Sequence, residues 1–339
     1  MERETLTQKI FRRGWQEVRK PLHGLPYLLT FRSYWHYLFR SLKNPSATAI
    51  GQCCYYTARP NMYAGIGHQM ANWIAGYWHA RQFGLKFAHI PFSTDRWEAF
   101  LGFGQDEALY YDLFKAGHKV RRLPSFDEAD PAAVALQRRI IESYSGTKTI
   151  LLAIQDQGYR DQYGVMTDLQ RKFDSAPARS CDRLQYSPDR FNIAVHVRRT
   201  VVIENKVIEE NDEIRKLRWL SNDYYETVLR GVLANLPATK PISIWIFSTG
   251  KAEEFAEFKQ YGDVRFCSDM DEYQSFAHLM RADLLITSKS SFSYKPALLN
   301  PGIKLCPKNF WHGYPDVSGW VLCDNNGRFD SERLKEACK

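Results

Sequence analysis

Phe191-Asn192-Ile193-Ala194-Val195-His196-Val197-Arg198-Arg199-Thr200 is an apolar, β-branched run that ends abruptly in a histidine and two arginines. A short apolar run bounded by polar residues has the pattern of a buried strand. In an open α/β sheet, the residues just past the C-terminal end of such a strand face the ligand crevice. Arginine is rarely buried without a partner. Two guanidiniums at this place therefore call for an anion with several oxygens, such as a diphosphate, or for carboxylates across the sheet edge. The segment by itself leaves both open.

Working outward, further strands are expected at 242–247, 264–267, 284–287 and 303–306, with helices at 222–235, 252–259 and 272–281. Alternating strands and helices imply a parallel sheet. Upstream, strands are expected at 51–57, 85–90 and 149–154, and helices at 70–83, 97–100 and 131–143. The stretch 174–188 has no clear periodicity and reads as a linker. The simplest architecture is α/β: a helical extension (1–45), then two doubly wound units in tandem (46–185 and 186–339) with a cleft between them.

The 339 residues are ample for two domains, and 44% hydrophobic with 25% charged residues is ordinary for a soluble globular chain. The net charge of +8 points to an anionic partner. No bilayer-length apolar stretch and no signal-peptide core is evident. The seven cysteines lack zinc spacing, and Cys53-Cys54 is the only close pair. Free thiols in a reducing cytoplasm are the economical reading. No helix-turn-helix, zinc-finger or RNA-recognition signature supports a nucleic-acid partner.

Residues 1–45 interleave Lys9, Arg12, Arg13, Arg19, Lys20, Arg32, Arg40 and Lys43 with aromatics from Phe11 to Phe39, and Pro21, Pro26 and Pro45 break them into short helical pieces. Such a segment either docks peripherally on an anionic membrane or packs its aromatics onto the body of the protein.

Two more motifs carry chemistry. Gly65-Ile66-Gly67-His68-Gln69 lies between a strand and a helix, where glycines allow close backbone approach and a helix start offers N–H groups to an anion. The third glycine of the dinucleotide fingerprint is missing. Ser288-Lys289-Ser290-Ser291-Phe292-Ser293-Tyr294 follows the apolar run Leu284-Leu285-Ile286. One serine suffices for a helix cap; several suggest phosphate contacts.

In this order, the three motifs resemble the fucosyltransferase superfamily, including the bacterial α-1,2-, the α-1,6- and the protein O-fucosyltransferases. The matching residues are Gly65, Gly67 and Gln69; His196, Arg198 and Arg199; and Ser291, Phe292 and Ser293. Phe247-Ser248 is similar to the family's Phe-Ser element. The resemblance covers about residues 60–310. It implies a GT-B architecture of two Rossmann-like domains, with the C-terminal one holding the donor. It implies inverting transfer of fucose from GDP-fucose to a glycan hydroxyl, with no essential metal and no further cofactor. By it, an arginine of the 198–199 pair contacts the diphosphate, His196 lies near the nucleotide, Ser248, Ser290, Ser291 and Ser293 line the donor site with Phe292, and Gly65, Gly67 and Gln69 line it near the reacting sugar. His68 stands where the family usually has Asn. A base-reading carboxylate is expected near Ser275, where Asp269, Asp271 and Glu272 are the nearest acids.

Fixed cations aimed at the departing diphosphate would replace a divalent metal. Asp269-Met270-Asp271 offers a metal-binding pattern or simply a solvated loop. The acceptor proton calls for a base, with His68, Asp95 and Glu204 as candidates. Phe310-Trp311-His312-Gly313-Tyr314 suits stacking on a sugar or packing. The donor is a nucleotide sugar, GDP-fucose first and a related one second; the acceptor is a glycan, with a lipid-linked precursor as one form. A non-catalytic nucleotide- or glycan-binding protein is the alternative.

Overall fold

The computed structural model describes residues 14, 21–43, 54–153, 159–199, 201–203, 206–208, 217–237 and 239–339, with backbone alone at 41–43, 201–203 and 206–208. Lys9, Phe11, Arg12, Arg13, Arg19, Lys20, Pro45, Cys53, Thr200 and Glu204 lie outside the described residues.

The strands are β1 (Cys54–Ala58), β2 (Lys86–His89), β3 (Ala108–Leu109), β4 (Lys119–Arg122), β5 (Thr149–Ala153), β6 (Phe191–Val197), β7 (Val201–Ile203), β8 (Lys206–Ile208), β9 (Ile242–Ser248), β10 (Val264–Phe266), β11 (Leu284–Ile286), β12 (Ile303–Pro307) and β13 (Trp320–Cys323). They form a five-stranded sheet ordered β3-β2-β1-β5-β4 and a six-stranded sheet ordered β10-β9-β6-β11-β12-β13, beside a β7-β8 hairpin. Every pairing in the two larger sheets is parallel. The fold is thus α/β, with the two sheets expected from the alternating pattern.

The chain divides into two compact units, Met1–Arg59 with Ala75–Ile90 and Glu107–Tyr159, and Pro60–Ile74 with Pro91–Asp106 and Arg160–Lys339. These are not the contiguous ranges 46–185 and 186–339. Residues 60–74 and 91–106 group with the later part of the chain because their hydrogen bonds and packing lie there.

In the first unit, β1 and β5 are buried almost throughout, and Ala88, Ile90, Tyr110 and Ile150 cluster beneath them. In the second, β6, β9, β11 and β12 present Ile193, Val195, Ile244, Ile246, Leu284 and Leu305 to helix Asn222–Asn235, whose Tyr225, Val228, Leu229 and Val232 complete the core. A fully buried side chain of this size contributes about 1.5–3 kcal/mol.

Three expectations are corrected. The helix expected from Met70 begins four residues earlier, at Ile66, so Gly67, His68 and Gln69 form its first turn rather than a loop. The expected linker is packed structure. Helix Met166–Ser175 and a 3-10 turn Pro177–Cys181 occupy its first half, and Arg179 donates to the Phe100 carbonyl at 2.6 Å and lies 3.6 Å over the Phe173 ring. Strands β3, β4, β7, β8 and β13 were not expected: β4 is a polar edge strand, β3 has two residues, and β7 and β8 have three each.

Candidate functional site

Starting at β6, the chain steps outward through β9 and β10, then returns to the other flank of β6 with β11 and continues through β12 and β13. The direction of winding reverses between β6 and β11. At such a reversal the loops leaving the two strands diverge and open a crevice at their carboxyl ends. The ends that meet here are His196-Val197-Arg198 and Ser288-Lys289-Ser290, two of the three motifs.

Two hydrogen bonds join them. His196 Nδ1 and Ser288 Oγ lie 2.8 Å apart, and Arg198 Nη1 donates to Ser290 Oγ at 3.4 Å. His196 is buried, and its ring packs 5.6 Å from Phe292. Burial, and then the Arg198 charge, push its pKa down to about 3. It is a neutral imidazole at physiological pH that aligns the two strand ends, not a proton-transfer group.

The arginine pair is split. Successive residues of an extended chain point to opposite sides. Arg198 turns to the serine loop. Arg199 turns away, with 8% of its surface exposed. Its Nη1 donates to the carbonyls of Arg198 (3.1 Å) and Leu220 (3.2 Å), its Nη2 to Asn222 Oδ1, and its Nε lies 3.9 Å from Glu254. The guanidinium also faces the rings of Trp219 and Phe255. Burial lowers its pKa, opposed by nearby Tyr225, Glu254 and Glu257, yet an arginine keeps its charge. Arg199 therefore braces helix Asn222–Asn235 against the strand end. Of the pair, Arg198 is the one that faces the serine turn.

The serine segment opens helix Ser291–Leu299. Ser290 is its cap, accepting from Phe292 N at 3.2 Å. Ser293 Oγ accepts from Ser288 N at 3.2 Å and closes the turn. Ser291 Oγ is buried and has no hydrogen-bond partner among the described residues. The first turn of this helix meets the first turn of helix Ile66–Gln82. A methyl group on Gly67 would lie 2.7 Å from the carbonyl carbon and from Cβ of Ser291. Gly67 is thus required by helix-to-helix contact, and a Cβ on Gly65 would meet open space. Gln69, expected to line the donor site, is a buried brace instead. Its Nε2 donates to Ala64 O and Ser93 Oγ, both at 2.8 Å, and its Oε1 accepts from Ser93 N at 2.9 Å. Ser248, at the end of β9 beside Val197, accepts from Gly250 N at 3.1 Å and shapes the neighbouring turn.

Among the candidate bases, His68 is half-buried in the first helical turn, its ring 6.2 Å from that of Trp311. Asp95 is exposed at the start of helix Asp95–Leu101. Trp311 is 41% exposed, stacks on Phe310, and carries the Arg218 guanidinium 4.7 Å over its ring. Nothing in the sequence around Arg218 marked it; the fold alone brings it to Trp311. The neighbouring His312 is buried core, stacked 4.7 Å from Tyr294.

The acids expected to offer metal ligands or read a base are engaged otherwise. Asp269 pairs with Arg265 at 3.0 Å; Asp271 caps helix Glu272–Arg281 and pairs with Arg96 at 2.6 Å; Glu272 accepts from the Trp97 indole at 3.2 Å. The Asp-x-x-Gln spacing of Asp271 and Gln274 is a capping box that the sequence already displayed.

The arrangement has one electrostatic character. Two helix N-termini, each a positive dipole end, meet at Gly67 and Ser291. One residue before Ser291, Ser290 is held by the Arg198 guanidinium. Such a place favours an anion.

No protein-family model matches this sequence, and no curated protein matches it. Solved structures similar in fold to this chain include POFUT1 in complex with GDP, with 11% identity over 75% of this chain and 98% of that one, at a TM-score of 0.45. Another is NodZ alpha-1,6-fucosyltransferase co-crystallised with GDP, with 14% identity over 82% of this chain and 97% of that one, at a TM-score of 0.44. A third is fucosyltransferase NodZ from Bradyrhizobium, with 13% identity over 74% and 94%, at a TM-score of 0.42.

Proposed function

We propose that this protein is a glycosyltransferase that takes a sugar, fucose by its motifs, from a nucleoside-diphosphate donor to a glycan hydroxyl with inversion and without an essential metal. The observation that carries the reading is the pairing of Arg198 with Ser290 across the winding reversal, beside two convergent helix N-termini. This is a built site for a diphosphate in the most ligand-prone position of a doubly wound sheet.

The reaction follows from these groups. The acceptor hydroxyl oxygen bonds to the anomeric carbon of the sugar, and the bond from that carbon to the diphosphate oxygen breaks. The electron pair leaves with the nucleoside diphosphate, where charge accumulates as the bond stretches. Arg198 and the positive helix start at Ser291 meet that charge without reorganising, so they favour the transition state over the ground state. A preorganised donor of this kind is worth about 3–4 kcal/mol in rate. The acceptor proton passes to a base, for which His68, in the turn that touches Ser291, is the assignment. GDP is the first nucleotide to try, because the motifs resemble fucosyltransferases.

The test is ligand-induced thermal stabilisation with GDP, UDP, CMP, ADP and dTDP, with and without EDTA, on the wild type and Arg198→Ala. GDP is expected to raise the melting temperature of the wild type with or without EDTA, and to raise that of Arg198→Ala less. A shift with another diphosphate alone would change the donor. No shift with any of them would overturn the transferase reading.

A further inference from the structure

Helices Gly24–Leu28 and Arg32–Lys43 belong to the first unit, and one side of them is fastened to it. Phe31 and Tyr34 are buried, Ser33 Oγ donates to the Arg122 carbonyl at 2.6 Å, the His36 ring stacks 4.0 Å from Tyr144, and Arg40 Nη2 donates to the Ser145 carbonyl at 3.1 Å. The other side is apolar and uncovered. Leu25 is 57% exposed, Leu29 37%, Trp35 41% and Phe39 59%. These four residues make a continuous surface. The Trp35 indole donates to the Leu29 carbonyl at 2.8 Å, locking the two helices together, and the Trp35 and Phe39 rings stack at 5.9 Å. A single exposed leucine needs no explanation; a rigid cluster with Trp and Phe at its centre does.

The charge of the sequence that carries this face narrows what meets it. From Glu17 to Asp95 the sequence contains no acidic residue between the two, against eight lysines and arginines, and Arg32 is exposed on the same helix. A face of aromatic and aliphatic side chains embedded in a purely basic stretch is complementary to the boundary of an anionic bilayer. There the rings enter the headgroup region and the cations meet lipid phosphates. No helix among the described residues is long and apolar enough to cross a membrane, so the contact would be peripheral. We propose that the Leu25–Leu29–Trp35–Phe39 face docks this protein on an anionic membrane surface. The proposal is independent of the donor assignment and stands or falls without it.

The experiment is co-sedimentation of the full-length protein with vesicles of phosphatidylcholine alone and of phosphatidylcholine with phosphatidylglycerol. Three proteins are compared: the wild type, the double variant Leu25→Ser/Phe39→Ser, and Arg32→Glu. The wild type should bind the mixed vesicles and not the neutral ones, and release with added salt. Both variants should bind about tenfold or more weakly while melting with the wild type, since neither changes the fastened side. Equal partition of wild type and double variant overturns the proposal, as does binding to neutral vesicles as strong as to anionic ones. A concentration-dependent dimer that the double variant loses would assign the face to a second copy of the chain. Loss of binding in Arg32→Glu alone, with retained binding to heparin or nucleic acid by the double variant, would assign it to a soluble polyanion.

Discussion

Replacing Gly67 with alanine would set a methyl group 2.7 Å from both the carbonyl carbon and Cβ of Ser291, and 2.8 Å from its carbonyl oxygen. Ordinary carbon contacts begin near 3.4 Å, so the two helix starts must separate by roughly 0.7 Å. Backbone on both sides leaves no flexible side chain to yield. Overpacking of this kind costs about 1–3 kcal/mol, or a fall of about 2–8 °C in melting temperature for a domain of this size. The sign is diagnostic. Gly67 needs no left-handed conformation and lies inside a helix, where alanine is otherwise better than glycine by about 0.5–1 kcal/mol. Without the contact to Ser291, Gly67→Ala would stabilise the protein. A displacement approaching 1 Å at a site that positions reacting groups costs up to about 10²-fold in turnover. Differential scanning fluorimetry with Gly65→Ala as control reads the first effect, since a Cβ there meets open space. A Gly67→Ala protein as stable as the wild type or more so would refute the convergence of the two helix starts.

Two further outcomes follow from the same geometry. Arg199→Ala strips Asn222 and two carbonyls of a buried charged donor and should lower unfolding free energy by about 2–3 kcal/mol in urea, and Arg198→Ala, at a half-buried position, should cost less; equal destabilisation by both would contradict the split of the pair. His196 has a folded pKa near 3, below its unfolded 6.5. The unfolded chain therefore binds its proton first, and the stability from a neutral His196 is complete above pH 6.5 and is lost as pH falls toward 3. Between pH 6.5 and 5 the loss is about 2 kcal/mol. His196→Gln should flatten that acid slope by this amount, and an unchanged slope in a urea-by-pH series would refute the buried, neutral assignment.

The second sheet was largely legible. Phe191–Val197 and helices 222–235 and 272–281 fall where periodicity placed them, because each has one strongly apolar face and a clear end. Lys119–Arg122 was not, since a polar edge strand has no hydrophobic pattern to read. The roles of single site residues were harder. Arg198 and Arg199 look alike in sequence, although the two-residue alternation of an extended chain already implies that they face opposite ways. Gln69 and Gly67 matched ligand-binding motifs, but their roles depend on Ser93 and Ser291, far along the chain. The placement of 60–74 with the second unit rests on those same non-local contacts.

Everything proposed for this site requires that Arg198 and the serine turn hold a nucleoside diphosphate. The most direct measurement is a calorimetric titration of GDP into the wild type and into Arg198→Ala, in EDTA. If Arg198 and the serine turn do so, the wild type gives a one-to-one isotherm and the variant binds at least about 10-fold more weakly, from loss of one charge-assisted contact. Equal affinity in both proteins would contradict it.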